Sequence, residues 1–165
     1  MDDRHCKLRH LVACTLVLVA TVVTDTRAAD NAMTPLTHVV SAYGFSETLG
    51  KLRSALEAKG FTIFAIIDQR EAARSVGLDM PPTTLLIYGN PEGGTPLMLA
   101  APDFALELPL KVLVREEAGG QVLIVYSPAS SLEGRHGLPA GLAGKLGGAE
   151  PLIAAAVGAN PPTAH

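Results

Sequence analysis

One histidine lies where an imidazole could do chemistry. His136 follows Arg135 in a loop bounded by Gly134 and Gly137. A histidine in such a loop can bind a metal ion or haem iron, or act as a general base, because its ordinary pKa lies near neutrality. The more common alternative is structural, with the ring hydrogen-bonded to the backbone so that it positions the loop. Arg135 and His136 are therefore the first candidate ligand-binding residues.

Met98 is the second candidate for a metal or haem ligand. Its thioether and the imidazole of His136 would together suit iron or copper. Methionine in an apolar helix more often fills gaps in the core, and Leu97 and Leu99 flank Met98 on both sides. If Met98 and His136 are ligands, the cofactor is haem or a metal ion and the protein is a redox accessory.

The residues around Gly94 could hold an anion. Thr95 followed by Pro96 has the pattern of an N-cap and the first residue of a helix, and free N–H groups at a helix start attract negative charge. An ordinary capped helix explains the same residues. Asn90, which precedes Pro91, is either a ligand-binding amide or a turn-forming residue. These residues are candidates for binding rather than for catalysis.

Two charged residues complete the candidate ligand-binding set. Asp68 could be a buried acid, although its spacing from Glu71 also matches a helix capping box. Lys111 lies between Leu110 and Val112 in a predicted strand, so its side chain points away from both neighbours. We expect Lys111 to face solvent or a dimer edge.

A hydrolytic centre is a further interpretation of His136, with Asp68 or a serine such as Ser130 as its partner. It is the weakest interpretation, because no serine lies in a Gly-x-Ser-x-Gly turn. The sequence also has no His-Glu-x-x-His motif and no phosphate-binding loop. Without a complete catalytic constellation, the sequence favours a binding function over an enzymatic one.

Apolar runs separated by turn residues predict the elements that would position these candidates. The predicted strands cover residues 36–43, 61–67, 83–88, 110–115 and 121–126. Three helices are predicted to follow the capping residues Ser46, Asp68 and Thr95, and the first of them ends at Lys59 just before Gly60. A last helix is predicted over residues 151–157. The order strand, helix, four strands, helix predicts an α+β fold, with an antiparallel sheet and helices on one face.

The second predicted strand has apolar residues on both of its faces. Phe61, Ile63, Ala65 and Ile67 would share one face. A strand that is apolar on both faces is typical of the centre of a sheet. We therefore predict a central strand, and we expect the Ile63→Ala substitution to cost about 2–5 kcal/mol of stability.

The first 28 residues have the pattern of a secretory signal peptide. Basic residues precede an apolar run over residues 11–23, and Thr26 and Ala28 occupy positions −3 and −1 of a cleavage site. An apolar helix of that length spans about 20 Å, which is short of the roughly 30 Å hydrocarbon core of a membrane. We predict a periplasmic or secreted protein with no stable membrane span after cleavage. A retained membrane anchor is the alternative.

Cleavage after Ala28 would change the composition of the 165-residue chain. Cys6 and Cys14 precede the cut, so residues 29–165 would hold no disulfide and no thiolate ligand. Nine Lys and Arg residues against thirteen Asp and Glu residues leave these residues with a net charge of −4. Such a balance gives no electrostatic basis for binding nucleic acid. We predict one α+β domain over residues 29–165, with a core at about residues 36–157 and a loose C-terminal tail.

Several short motifs occur in a characteristic order between Ser46 and Leu138. They include Lys59-Gly60-Phe61, Gly89-Asn90-Pro91, Gly94-Thr95-Pro96-Leu97-Met98 and Arg135-His136-Gly137-Leu138. In these motifs the chain resembles the bacterial domain of unknown function 302 family. The resemblance implies an α+β fold of the TATA-binding-protein-like class and a homodimer, and it implies no established activity. Where the family commonly has a histidine after the aspartate of the second strand, this chain has Gln69.

The sequence thus favours an exported α+β module that binds a small ligand or a protein partner without catalysis. A haem- or metal-binding redox accessory that uses His136 is the alternative, and a hydrolase is the weaker one. The expected partners are a second copy of the chain, a small molecule or a protein, and not a nucleic acid.

Overall fold

The computed structural model describes residues 35–158. The predicted signal peptide and the predicted C-terminal tail lie outside these residues. The helices and strands, in chain order, are β1 Thr37–Val40, α1 Phe45–Ala58, β2 Thr62–Asp68, α2 Gln69–Arg74, β3 Thr83–Gly89, α3 Pro91–Ala100, β4 Leu110–Glu116, β5 Val122–Tyr126 and α4 Glu150–Ala156. Short 3₁₀ helices lie at Pro102–Leu106, Ala129–Leu132, Arg135–Gly137 and Ala143–Ala149.

Within residues 35–158 the five strands form one antiparallel sheet in the order β1-β5-β4-β3-β2. The helices lie on one side of it. The α+β fold that the sequence predicts is therefore confirmed, and the strands lie close to their predicted positions. No helix in the described part of the chain is long and apolar enough to cross a membrane.

Strand β2 lies at the edge of the sheet, so the prediction of a central strand is wrong. A β-bulge between Ile63 and Ala65 also changes which residues share a face. Ile63 pairs with Tyr88 on the helix side, whereas Ala65 pairs with Ile87 on the opposite, open face. One extra residue in a strand reverses the alternation beyond it, and an alternating apolar pattern does not reveal that insertion.

Helix α1 begins two residues earlier than predicted, since Gly44 takes the N-cap position expected of Ser46. Gly44 is its N-cap and makes no side-chain capping bond, and Ser46 lies inside the first turn. The C-terminal end agrees with the sequence: the N–H of Gly60 donates to the carbonyl of Glu57, and the N–H of Phe61 donates to that of Leu56. This is a Schellman motif, and Gly60 has the positive φ of 80° that the motif requires.

Helix α3 begins at Pro91, so the predicted start at Thr95 is wrong. Asn90 is the N-cap, and its Oδ1 accepts a hydrogen bond from the N–H of Glu92 at 2.9 Å. Asn followed by Pro supplies both a capping side chain and a first residue that needs no N–H partner, so it is the stronger start signal. Thr95 and Pro96 consequently lie inside the helix.

Two hydrophobic clusters lie among the described residues. The first joins the sheet to α1 and α4, and it includes Leu52, Leu56, Leu86 and Ile153. The second joins α3 to the 3₁₀ helices, and Phe104 is its largest fully buried side chain.

The first cluster gives a stability prediction that corrects the expectation for Ile63. Leu86 is fully buried, whereas Ile63 at the sheet edge is only partly buried against the cluster. We expect Leu86→Ala to cost about 2–5 kcal/mol of stability. Ile63→Ala should cost less than half of that, because the side chain of Ile63 buries less apolar surface on folding than that of Leu86. Urea unfolding of the two variants measures both losses. Equal losses would contradict the edge position of β2.

Candidate functional site

The two sequence-predicted residues Arg135 and His136 converge on one carboxylate. Glu107 follows the 3₁₀ helix Pro102–Leu106, and its Oε1 accepts hydrogen bonds from Nη1 of Arg135 at 3.1 Å and from Nε2 of His136 at 3.0 Å. Because a carboxylate only accepts, Nε2 of His136 holds the proton. Partial burial would raise the pKa of Glu107, but these two hydrogen bonds and the Arg135 charge outweigh it, so its pKa lies below its ordinary value.

The loop that presents His136 has an unusual backbone. His136 has φ 50° and ψ 30°, between Gly134 and Gly137, which also have positive φ. A left-handed backbone costs a residue other than glycine about 1–2 kcal/mol. The hydrogen bonds from two successive residues to Glu107 offset part of this cost. The geometry supports a clamp that ties the 3₁₀ helix Arg135–Gly137 to the chain just before β4.

This clamp gives a prediction for the pH dependence of stability. Since the folded-state pKa of Glu107 is lowered, its ionised form stabilises the fold above the ordinary pKa, and that contribution is lost as the pH falls through the lowered value. We expect Glu107→Gln to reduce the free energy of unfolding at pH 6 and to have a smaller effect at pH 3. Urea unfolding at the two pH values measures the difference. Asp103→Asn, at an exposed position in the 3₁₀ helix that precedes Glu107, is the control variant.

A pocket lies among apolar residues next to the segment that leads into β4. Its volume is about 190 Å³. The start of β2, the β3–α3 junction, the start of β4 and the 3₁₀ helix Ala143–Ala149 form its walls. The lining residues are Phe61, Phe64, Gly89, Asn90, Pro91, Gly93, Gly94, Met98, Leu108, Pro109, Leu110, Lys145 and Leu146.

Two glycines allow close packing in the pocket wall. A Cβ atom on Gly89 would lie 3.4 Å from the ring of Phe64, and a Cβ on Gly94 would lie 3.3 Å from Cδ1 of Leu108. The second distance is short enough that Leu108 would have to move. The absence of a side chain at Gly94 therefore brings α3 against the segment that leads into β4.

Only two of the lining side chains, those of Asn90 and Lys145, are polar, and they differ in whether they are available to bind a ligand. The Asn90 Oδ1 atom is engaged in capping α3. Lys145 is exposed, and its ammonium group makes no ion pair with any residue in the described range. The pocket thus combines apolar walls with one cation that is available to a ligand.

The structure places the other sequence candidates apart from one another. Asp68 caps α2 by accepting from the N–H of Glu71 at 2.9 Å, at the opposite end of β2 from Phe61. Lys111 is exposed on the open face of the sheet, where it pairs with Ile87. Neither residue lines the pocket.

The anion site expected at Gly94 and Thr95 loses its geometric basis. Because α3 begins five residues earlier than predicted, the N–H groups of Gly93 and Gly94 already donate to the carbonyl of Asn90, at 3.1 and 2.9 Å. Gly94 is buried in the pocket wall, and Thr95 is exposed on the helix. The donors of this segment are therefore engaged within the helix.

The ligand pair expected for haem or a metal ion is not brought into one cavity. Met98 lines the pocket, whereas His136 is not among its lining residues and donates through Nε2 to Glu107. Across residues 35–158, no three His, Cys, Asp or Glu side chains are grouped so that they could hold a metal ion.

Glu107 and Lys145 are the functional candidates that the sequence did not reveal. Glu107 is 28 and 29 residues from its two partners, and Lys145 is far along the chain from most other residues that line the pocket, so sequence spacing contains no signal for either residue. The sequence holds a weaker signal for the pocket: Leu108-Pro109 directly precedes an apolar strand, Gly93-Gly94 precedes Met98, and glycines lie on both sides of Lys145.

The comparisons with known proteins agree with this fold. The crystal structure of an uncharacterized conserved protein DUF302 from Bacillus stearothermophilus superposes with a TM-score of 0.65 and 25% sequence identity, over 77% of this chain and 98% of that chain.

Among curated proteins, the Fluoride-specific ion channel FluC 1 of Brucella suis biovar 1 is 33% identical over 103 residues, which are 62% of this chain and 41% of the relative. The Fluoride-specific ion channel FluC 2 of Brucella melitensis biotype 1 is also 33% identical over 103 residues, which are 38% of its length. The chain therefore spans well under half of the length of these relatives.

The family evidence covers most of the described domain. The sequence pattern of the family described as "Domain of unknown function DUF302" matches residues 37–154, from the start of β1 into α4. The match includes every strand of the sheet, the walls of the pocket and the Glu107 clamp. The chain belongs to the DUF302 family.

Proposed function

We propose that this domain binds a small, mainly apolar ligand that has an acidic group, and that it does so in the pocket between β2, α3 and β4. The observation that supports the proposal is a cavity of about 190 Å³ with apolar walls and Lys145 as an available cation. A dry cavity of about 150 Å³ accommodates benzene, so a substituted ring or a short acyl chain matches this volume.

The chemistry of the lining favours binding without catalysis. Asn90 and Lys145 do not form a nucleophile with an adjacent base, and Asn90 is engaged as a helix cap. The Glu107–His136 pair is outside the lining, and its hydrogen bond ties two chain segments together. A ligand would be oriented by its acidic group at Lys145, with its apolar part against Phe61, Phe64 and Met98.

A matched pair of probes tests the role of Lys145. We expect benzoate to bind more tightly than benzamide, because only benzoate has a charge that can pair with the ammonium group. The Lys145→Gln variant is expected to bind the two probes equally, with a loss of about threefold to tenfold for benzoate. Isothermal titration calorimetry measures the four dissociation constants. Lys111→Gln is the control, and we expect it to keep the preference for benzoate.

Ligand copurification tests the proposal without assuming a particular ligand. Native mass spectrometry of the protein isolated from its own host should show a small-molecule adduct that is lost on denaturation. If the protein has no adduct and binds neither probe, the pocket has no binding function of this kind.

We also propose that the protein acts in the periplasm or outside the cell. The support is the basic, apolar and small-residue pattern of residues 1–28. Cell fractionation and the intact mass of the native protein test it, since cleavage after Ala28 would remove Cys6 and Cys14. A cytoplasmic protein with an uncleaved N-terminus would contradict the proposal.

A second candidate function rests on the curated relatives. We propose that the chain serves a fluoride channel as a partner, because the matched 103 residues occur within proteins named fluoride-specific ion channels. Deletion of its gene should then alter growth in fluoride, and re-expression should reverse the change. Unchanged growth over a range of fluoride concentrations would contradict this candidate.

A further inference from the structure

Two of the four phenylalanines in the chain line the pocket, although aromatic side chains are scarce in this protein. The chain has four Phe, three Tyr and no Trp. Phe61 directly precedes β2, and Phe64 is the third residue of that strand. The short segment at the start of β2 therefore supplies both aromatic rings of the pocket wall.

The β-bulge in β2 lies at Phe64. Ile63 pairs with Tyr88 and Ala65 pairs with Ile87, so Phe64 is the extra residue and has no register partner on β3. A bulge re-aims a side chain out of the alternation of its strand, and bulges are frequent next to active sites. Here the extra residue lines the pocket and is 52% exposed. A ligand in the pocket can therefore cover apolar surface of Phe64 that the protein leaves open to water.

The rings of Phe61 and Phe64 differ in how they are held. Phe61 meets the ring of Tyr88 edge to face, with 5.7 Å between the ring centroids and 70° between the ring planes. Phe64 has no aromatic partner in the described part of the chain, and its ring lies against Gly89, where a Cβ atom would be 3.4 Å away. The free aromatic surface suits a second ring, because stacked and edge-to-face pairs gain attraction beyond the area that they bury.

The size of the cavity favours a rigid ring over a flexible chain. Its volume of about 190 Å³ is only slightly larger than that of a cavity that accommodates benzene. An acyl chain of similar volume would lose the rotation of several bonds on binding, whereas an aromatic ring has no such freedom to lose. A saturated ring buries a similar apolar area but has no π face to place against Phe64.

We infer that the ligand of the pocket is an aromatic acid, whose planar ring packs against Phe64 while its acidic group pairs with Lys145. The inference rests on the proposed binding function and narrows the ligand to one chemical class. In this arrangement Phe61 and the aliphatic side chains form the fixed wall of the pocket. Phe64 is the residue that distinguishes an aromatic ring from a saturated one.

Three probes of equal charge test the class of ligand. Calorimetric titration should show that benzoate binds about threefold to tenfold more tightly than cyclohexanecarboxylate or hexanoate. Because all three are carboxylates, Lys145 contributes equally to each, and the comparison isolates the apolar part. Equal affinities for the three acids would overturn the aromatic class and leave the acid-binding pocket standing. If none of the three binds, the proposed function fails and the aromatic class fails with it.

The Phe64→Leu variant tests the residue that makes the distinction. We expect it to weaken benzoate about threefold to tenfold and cyclohexanecarboxylate by less than about twofold, so that the preference disappears. Phe45→Leu is the matched control, since Phe45 packs against the first cluster and is not among the lining residues. It should keep the preference, with both variants folded by circular dichroism. A preference for benzoate that survives Phe64→Leu would overturn the role of Phe64.

A fluorescent variant tests the contact directly. Phe64→Trp keeps an aromatic face and introduces the only tryptophan of the chain. Benzoate should change its emission saturably, with the dissociation constant that calorimetry gives. Leu78→Trp, at a position 65% exposed and outside the lining, should show no change. If saturating benzoate leaves the emission of Phe64→Trp unchanged, the ring of the ligand does not lie against this residue and the inference is wrong.

Discussion

Replacement of Phe104 by alanine is expected to destabilise the domain by about 3–5 kcal/mol. Phe104 is fully buried in the second hydrophobic cluster, where α3 meets the 3₁₀ helices. Truncation removes the largest side chain of that cluster and leaves a cavity that the surrounding short helices can fill only by moving. Since a domain of this size is usually stable by about 5–15 kcal/mol, the loss is a large fraction of the total.

Leu106, two residues after Phe104, provides a control for this prediction. It lies in the same 3₁₀ helix but is 75% exposed, so Leu106→Ala should change the free energy of unfolding by no more than about 0.5 kcal/mol. Urea unfolding followed by circular dichroism measures both variants. A loss below about 1 kcal/mol for Phe104→Ala would mean that the second cluster contributes little to stability.

The Phe104→Ala variant also links the stability of the domain to the pocket. Leu108 and Leu110 pack against the second cluster and also line the pocket. The short helices that complete this cluster pack around Phe104, so the loss of its ring should displace the pocket wall. We therefore expect Phe104→Ala to weaken benzoate binding even under conditions in which the variant remains folded.

The sequence predicts the order of the elements because their signals are local. The end of α1 depends on Gly60 and its immediate neighbours, and the Schellman motif appears where the glycine predicts it. The place of β2 in the sheet is different, since it depends on which strands pair with it. Apolar residues on both faces of a strand indicate burial of both faces, but they do not distinguish burial within the sheet from burial against a partner.

The candidate site was less predictable than the fold for a related reason. His136 and Arg135 were recognised as candidates by residue type and by the flanking glycines, but their partner Glu107 is 28 and 29 residues away in sequence. The pocket similarly combines segments around Phe61, Met98, Leu108 and Lys145. Only the packing of α3 and the 3₁₀ helices against the sheet brings these segments together, and that packing leaves no periodic pattern in the chain.

Filling the pocket with a larger side chain at Met98 is expected to abolish ligand binding. Met98 is half-buried and lines the pocket from α3. The Met98→Trp variant replaces a flexible thioether with a large rigid indole next to a cavity of only about 190 Å³, so little volume remains for a ligand. We expect the dissociation constant for benzoate to rise by at least about tenfold, which corresponds to about 1.4 kcal/mol.

The next residue on the same helix supplies the matched control. Leu99 is 79% exposed and is not among the lining residues, so Leu99→Trp adds the same side chain to α3 without entering the pocket. Calorimetric titration with benzoate should show parent-like affinity for Leu99→Trp and severely reduced affinity for Met98→Trp, with both variants folded by circular dichroism. If Met98→Trp binds benzoate as the parent does, the ligand binds elsewhere. Reduced affinity in both variants would instead point to a general perturbation of α3. Selective loss at Met98, together with the loss of the benzoate preference in Lys145→Gln, would place the apolar part of the ligand beside Met98 and its acidic group beside Lys145 in one pocket.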